Sequence, residues 1–250
     1  MPIHYARKLT GSNRSPDGNR HLGLLLCFIA GAINAGGFLA VQHYTSHMTG
    51  IVSAMADNLA LGAYRLVLPG LGALLSFVAG SACSAIMVNY ARRHKMHGEY
   101  ALPLLLEALL LLGFGVMGAQ LAGVPGLFVP LTVMVLCFIM GLQNALITKI
   151  SKAEIRTTHV TGIVTDIGIE LGKLLYWNGT LQPGQHRVDA NPERLRLLIA
   201  LVSAFFAGGV SGALGFQAMG YSATVPLALL LVAMAIVPAL DDLLPGAHAK

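Results

Sequence analysis

Thr49-Gly50 and Thr161-Gly162 are the residues best placed for chemistry, because the pair recurs in one setting, SHMTGIV at 46–52 and THVTGIV at 158–164. Threonine is a good helix N-cap, and glycine lets the backbone approach a partner closely. A helix opening there inside a membrane would aim unpaired N–H groups and the positive end of its dipole at a polar or anionic ligand. His47 and His159 stand two residues ahead of each threonine, where an imidazole can bind that ligand or relay protons near neutral pH. The plainer alternative is an amphipathic helix lying at the membrane interface, with the histidine hydrogen-bonded at its start.

Carboxylates follow both motifs. Asp57 lies after the first, Asp166 and Glu170 after the second, and a carboxylate inside a membrane is a candidate proton or cation site. Asp166 and Glu170 are spaced i, i+4, a like-charge pair that in a confined site raises one of the two pKa values. Asp57 falls opposite Ile169 in the register of the two motifs, so symmetric roles are not expected. Solvation at an interface is the plain alternative for all three. The amides Asn34, Asn144 and Gln143 sit within apolar runs, where they bond between helices or to a ligand. Glu107 also lies inside an apolar run and has no assigned role. His43 and His47 have a spacing that chelates a metal only on a helix and only with a third ligand. No metal site and no cofactor are therefore expected.

These residues need helices in a bilayer to position them. Charged residues make up 11% of the 250-residue chain and apolar ones 55%, against about 25% charged in a soluble domain. Apolar runs at 22–41, 66–88, 101–122, 127–147, 197–216 and 224–240 match the roughly 20 helical residues that cross ~30 Å of hydrocarbon. They lack the two-residue alternation of barrel strands, so the expected class is all-α, a polytopic helical membrane protein. The first run is too long for a signal-peptide core and reads as a retained span. The net charge of +5 comes from short clusters between the runs, which indicates topology and no nucleic-acid partner. Cys27, Cys83 and Cys137 lie in apolar runs without CxxC spacing and read as small packing residues.

CFIAGAINA at 27–35 and CFIMGLQNA at 137–145 match at an offset of 110, and the two histidine motifs follow in the same order at 112. Two ordered matches predict an internal duplication. Weaker echoes pair Phe77, Ala79 and Gly80 with Phe205, Ala207 and Gly208, and Pro103 with Pro226. The expected organisation is a polar tail over 1–20, a membrane repeat over 21–124, a second over 125–243 with a polar loop near 176–195, and a tail over 244–250. Each repeat holds three spans plus one short, broken or re-entrant helix. If the short segments do not cross, 15 of the 16 lysines and arginines fall on the side of both termini, Arg65 alone lying opposite. If they do, there are eight spans and the division is 10 against 6. Short basic loops stay in the cytoplasm, which favours six spans. Three crossings per repeat turn the second copy over, an inverted repeat of the kind transporters use.

The paired xHxTG and CFIxGxxNA elements resemble the YoaK-type family of bacterial membrane proteins across nearly the whole chain. The resemblance implies a six-pass or similar protein of the bacterial inner membrane, and no catalytic residues. The function expected from the residues is a transporter or exporter of a small polar or anionic solute. Thr49, Gly50, Thr161 and Gly162 would supply donors between the repeats, and His47, His159, Asp57, Asp166 and Glu170 would tune charge. One alternative is an intramembrane enzyme, which no GxSxG or HExxH motif supports, so the balance is against enzymatic activity. Another is a scaffold or regulatory subunit docking through its basic loops. Partners are the bilayer and the solute. Small-residue stripes such as Gly72, Ser76, Gly80 and Ser84 are compatible with a homo-oligomer and place the spans that carry them in an inner bundle. The leucine-rich spans at 101–122 and 224–240 are expected to face lipid.

Overall fold

The computed structural model describes residues 11, 16–121, 125–151, 155–179 and 186–243. Most of the expected N-terminal tail, part of the polar loop near 176–195 and the C-terminal tail lie outside them. Among the described residues the regular structure is helical throughout. The helices are α1 (Pro16–Val41), α2 (Met48–Ala60), α3 (Tyr64–Arg93), α4 (Ala101–Leu121), α5 (Pro125–Ile150), α6 (Val160–Leu175), α7 (Pro192–Met219) and α8 (Thr224–Leu243), with a 3-10 turn at Gly220–Ala223. Local chemistry marks several ends. The Asn191 side chain accepts from the Arg194 N–H at 3.0 Å, with Pro192 at the first helical position of α7. Arg92 and Arg93 close α3, where cations suit the helix dipole.

Among the described residues five stretches are long and apolar enough to cross a membrane, and the last, Pro192–Asp242, spans 51 residues and runs through α7 and all but the last residue of α8. The two short helices differ in kind. At ~1.5 Å per residue, the 13 residues of α2 reach about 20 Å and the 16 of α6 about 24 Å, short of ~30 Å of hydrocarbon.

Contacts between the long helices give their directions. Call the end where α1 begins the near end. The α1 and α7 helices run parallel, with Arg20 3.5 Å from Glu193 at their starts, Gly208 against the Phe28 carbonyl further along, and Gly36 against Phe216 beyond it. The same holds for α3 and α5, where Gly80 lies on the Phe138 carbonyl, the Ser81 hydroxyl donates to the Gly141 carbonyl at 3.0 Å, and Lys149 Nζ lies 2.7 Å from Asn89 Oδ1. Antiparallel to α1 runs α5, since Gly23 faces Ile147 while Gly37 faces Leu136. α4 and α8 are antiparallel too, with Gly98 beside Pro238 and Gly118 beside Tyr221. Consequently α1, α4 and α7 run away from the near end, and α3, α5 and α8 run back to it.

Two crossings hold the bundle together, and backbone meets backbone in both. A side chain on Gly31 would strike the Phe205 carbonyl and one on Gly208 the Phe28 carbonyl; likewise Gly141 meets the Phe77 carbonyl and Gly80 that of Phe138. Glycine inside a helix costs about 1 kcal/mol relative to alanine, and the close approach offsets it. The core of Leu22, Leu26, Ile29, Leu136, Ile139 and Met140 fills in around these crossings.

The helices α4 and α8 do not simply face lipid. They pack on each other, Leu104, Leu111 and Leu231 are buried, and only their outer faces, with Leu109 65% and Leu229 62% exposed, remain for a lipid environment. A leucine-rich composition shows that a helix is in the membrane without showing which side of it is covered.

Candidate functional site

The chain does not run straight from α1 into α2, or from α5 into α6. Each time it folds back into the bundle before the short helix begins. After α1, Tyr44 stacks on Phe38 at 4.5 Å, and the Ser46 hydroxyl donates to Asn34 Oδ1 at 2.8 Å. Asn34 is seven residues before the end of α1, so this loop reaches about 10 Å inside the far end. After α5, Ile155 lies against Gly23 and the Thr158 hydroxyl donates to Asn144 Oδ1 at 2.9 Å, with Thr157 Oγ1 at 3.5 Å from the same oxygen. The cysteines hold the loops from the other side. Cys137 Sγ donates to the Thr45 carbonyl at 3.4 Å, and Cys27 Sγ to the Thr157 carbonyl at 3.6 Å. The loops thus enter from opposite ends, and their tips, level with Asn34 and with Cys27, are separated by seven residues of α1, about 10 Å.

The short helices start at these tips, and the expected caps are corrected. The N-cap residues are His47 and His159, each with non-helical backbone angles, and Thr49 and Thr161 lie inside the first turn. Both imidazoles fold onto the glycine three residues on, in the space that a Cβ on Gly50 or Gly162 would need. That contact explains the motif: the histidine can close over the first turn only where the third helical residue has no side chain. His47, His159, Thr49 and Thr161 are exposed, at the outside of the bundle. Since α2 packs on the first turns of α3, with Gly70 against Met55, and α6 packs on α7, the two short helices lead from the tips toward opposite ends of the molecule. They do not converge on one point.

The near tip carries more charge. Arg156 Nη1 lies 3.1 Å from His159 Nδ1, and because a guanidinium only donates, Nδ1 is the acceptor. Asp166 pairs with Arg194 of α7 at 3.0 Å. Glu170 is buried, accepts from Lys173 Nζ at 2.8 Å, and accepts from the Asn191 backbone N–H at 2.8 Å. Those bonds, the Asn191 N–H first, hold its carboxyl below the usual carboxylate range. The expected like-charge coupling of Asp166 and Glu170 is therefore replaced by separate partners, and no raised pKa results at Glu170. Asp57 is exposed on α2, and no cation among the described residues pairs with it.

Gln143 joins α5 to α1 by donating to the Leu26 carbonyl at 3.2 Å, while its own oxygen is buried without a partner. His43 bonds the Val41 carbonyl at 2.8 Å from a non-helical segment, so the helical spacing that chelation with His47 requires is not realised. Three features escaped the sequence: the thiols as loop holders, the hydroxyls of Ser46 and Thr158 as latches, and the isolation of Glu107. The matched hydroxyls just before each histidine were the available signal.

No curated protein and no solved structure matches the chain. The molecule is a polytopic helical membrane protein. The sequence model of the family described as a protein of unknown function, DUF1275, matches residues 22–237, from the first buried apolar turn of α1 into α8, and the chain belongs to that family.

Proposed function

We propose that this protein is a transporter or exporter of a small polar or anionic solute, built as an inverted repeat with six spans and both termini on the cytoplasmic side of a bacterial inner membrane. The observation that carries the proposal is the pair of re-entrant loops, one from each end, whose tips reach levels about 10 Å apart along the axis of α1, on either side of the glycine crossing at Gly31. A solute bound at either tip meets a helix N-terminus with a histidine folded beside it, and the barrier between the tips is thin enough for a modest rearrangement to transfer access.

Helix direction supports the repeat. The long helices run antiparallel to their sequence counterparts, α1 to α5 and α4 to α8, and equivalent residues make equivalent contacts, as with Cys27 on Thr157 and Cys137 on Thr45. Basic residues gather at the near end, where Arg92, Arg93, Lys149, Arg156 and Arg194 lie, which fits a cytoplasmic face. Arg156 beside His159 favours an anion at that end.

Two experiments test this. Single cysteines at 94 and 185, in a chain whose native cysteines are replaced, should resist an impermeant thiol reagent in intact cells and react after permeabilisation. Labelling of position 94 in intact cells would remove the six-span topology. Proteoliposomes supplied with a panel of phosphate, acetate, nitrate and glutamate should show saturable uptake of at least one anion, falling to background when Gly50 and Gly162 are both changed to valine. Uptake that survives the double change would remove the tips as the site.

A further inference from the structure

We infer that Glu107 is a proton-binding site at the core of the bundle, carrying its proton as a neutral acid in the state seen here and exchanging it when the helices rearrange. Glu107 is wholly buried on α4, and neither carboxyl oxygen has a hydrogen-bond partner among the described residues. It stands in the middle of the covered arc of that helix, flanked by buried Pro103, Leu104, Leu111 and Phe114, while Leu109 and Val116 on the opposite side are exposed. An ionised carboxylate in such a place would need a cation or several donors.

Among the described residues, none of the elements packed against α4 supplies one. On α8 the first carboxylates are in its last turn, where Asp242 is held by His97 and the Gly98 N–H, roughly ten residues or 15 Å along from the level of Glu107. Lys149 of α5 is turned to α3, on Asn89 and Ala85, and the Cys137 thiol is committed to Thr45. Arg92 of α3 lies on Glu99 and Tyr100. Tyr221 of the 3-10 turn sits beside Gly118, at the far end of α4.

A proton satisfies the group without any cation, since the neutral acid loses most of the penalty that confines a buried charge. Three further oxygens unpartnered among the described residues, Asn19 Oδ1 on α1, Ser84 Oγ on α3 and Gln143 Oε1 on α5, lie in the same near half of the bundle. As a coupling ion for solute movement, the proton rests on the transport proposal; as a bound ligand of Glu107, it does not.

The test uses the full-length protein in lipid nanodiscs and dicyclohexylcarbodiimide, a membrane-permeant reagent. The carboxyl O–H adds across one C=N bond, the oxygen bonding to carbon and the proton moving to nitrogen, so only the protonated acid reacts. Peptide mass spectrometry should find the adduct on Glu107 at neutral pH, and not on Asp57, Asp166 or Glu170, with labelling that declines as the medium is made alkaline. A carboxylic-acid C=O stretch in the infrared should be present at neutral pH, vanish in Glu107→Gln and return in Glu107→Asp. An unlabelled Glu107 with no acid band in the wild-type protein would overturn the inference, and that measurement needs no variant to fold. Protection by added sodium ions at fixed pH would overturn it in favour of a metal cation. Adduct and band without solute uptake would uphold the proton site and count against transport; uptake without adduct or band would do the reverse.

Discussion

The two short helices start alike and end differently. Both are capped by a histidine folded on a glycine, and both follow a loop latched to an asparagine. Beyond the first turn α2 has no buried residue, and Asp57 is exposed. By contrast α6 buries Ile163 and Glu170 and is tied to the start of α7 by Glu170 on Asn191 and Asp166 on Arg194. One backbone plan thus carries a strapped helix at the near end and an unstrapped one at the far end. The side-chain straps of Asp166 and Glu170 therefore distinguish the seating of α6 from that of α2, which rests on apolar packing of Met55 and Ile51 at Gly70.

The widest effect would come from attacking what both ends share. Gly31→Leu and Gly141→Leu should each abolish the folded bundle, because a side chain driven into backbone has nowhere to yield and exceeds the ~1–3 kcal/mol of ordinary overpacking. Size-exclusion profiles of the detergent-solubilised variants check this, and a monodisperse Gly31→Leu protein would refute it. Next, Glu170→Ala should raise hydrogen exchange across α6 and leave α2 unchanged, whereas Asp57→Ala should alter neither; matched changes in both helices would erase the distinction. Acid should do in a graded way what Glu170→Ala does outright. The Glu170 carboxyl is held below its usual range, so its contribution to seating α6 is complete above the ordinary glutamate range and is lost as pH falls through the lowered folded value. The single tryptophan, Trp177, follows α6 directly, and its emission should shift over that acid window in the wild type but not in Glu170→Gln. The smallest difference lies in the latches. Ser46→Ala should cost about 1 kcal/mol and Thr158→Val less, since Thr157 remains 3.5 Å from the same Asn144 oxygen; thermal denaturation in detergent would rank them.

Much of this was legible from residues alone. Apolar runs announce membrane helices because burying peptide groups in hydrocarbon leaves few alternatives, and the short, polar-dotted helix after each TG motif stood out for the same reason. The two TG motifs were correctly singled out as helix starts, yet the capping residue was misjudged. Threonine is the better cap by propensity; here a ring packed on Gly50 or Gly162 decides the backbone angles. Contacts such as Cys27 with Thr157 join residues 130 apart and leave no local trace. Nor does composition distinguish the covered side of α4 from its exposed side, so Glu107 could be noticed as an oddity but not as an isolated one.

The partners at the glycine crossings are far apart in the chain, and that has a bearing on biosynthesis. Gly208 meets Phe28, which is made 180 residues earlier. At roughly 5–20 residues per second, α1 spends about 10–40 s in the membrane before its mate is synthesised. During that interval a glycine-rich helix carrying Asn34 lies against lipid with its narrow face uncovered. The nascent chain therefore needs an insertase or a neighbouring helix to shelter that face until α7 arrives, and neither half of the protein should fold if it is expressed alone.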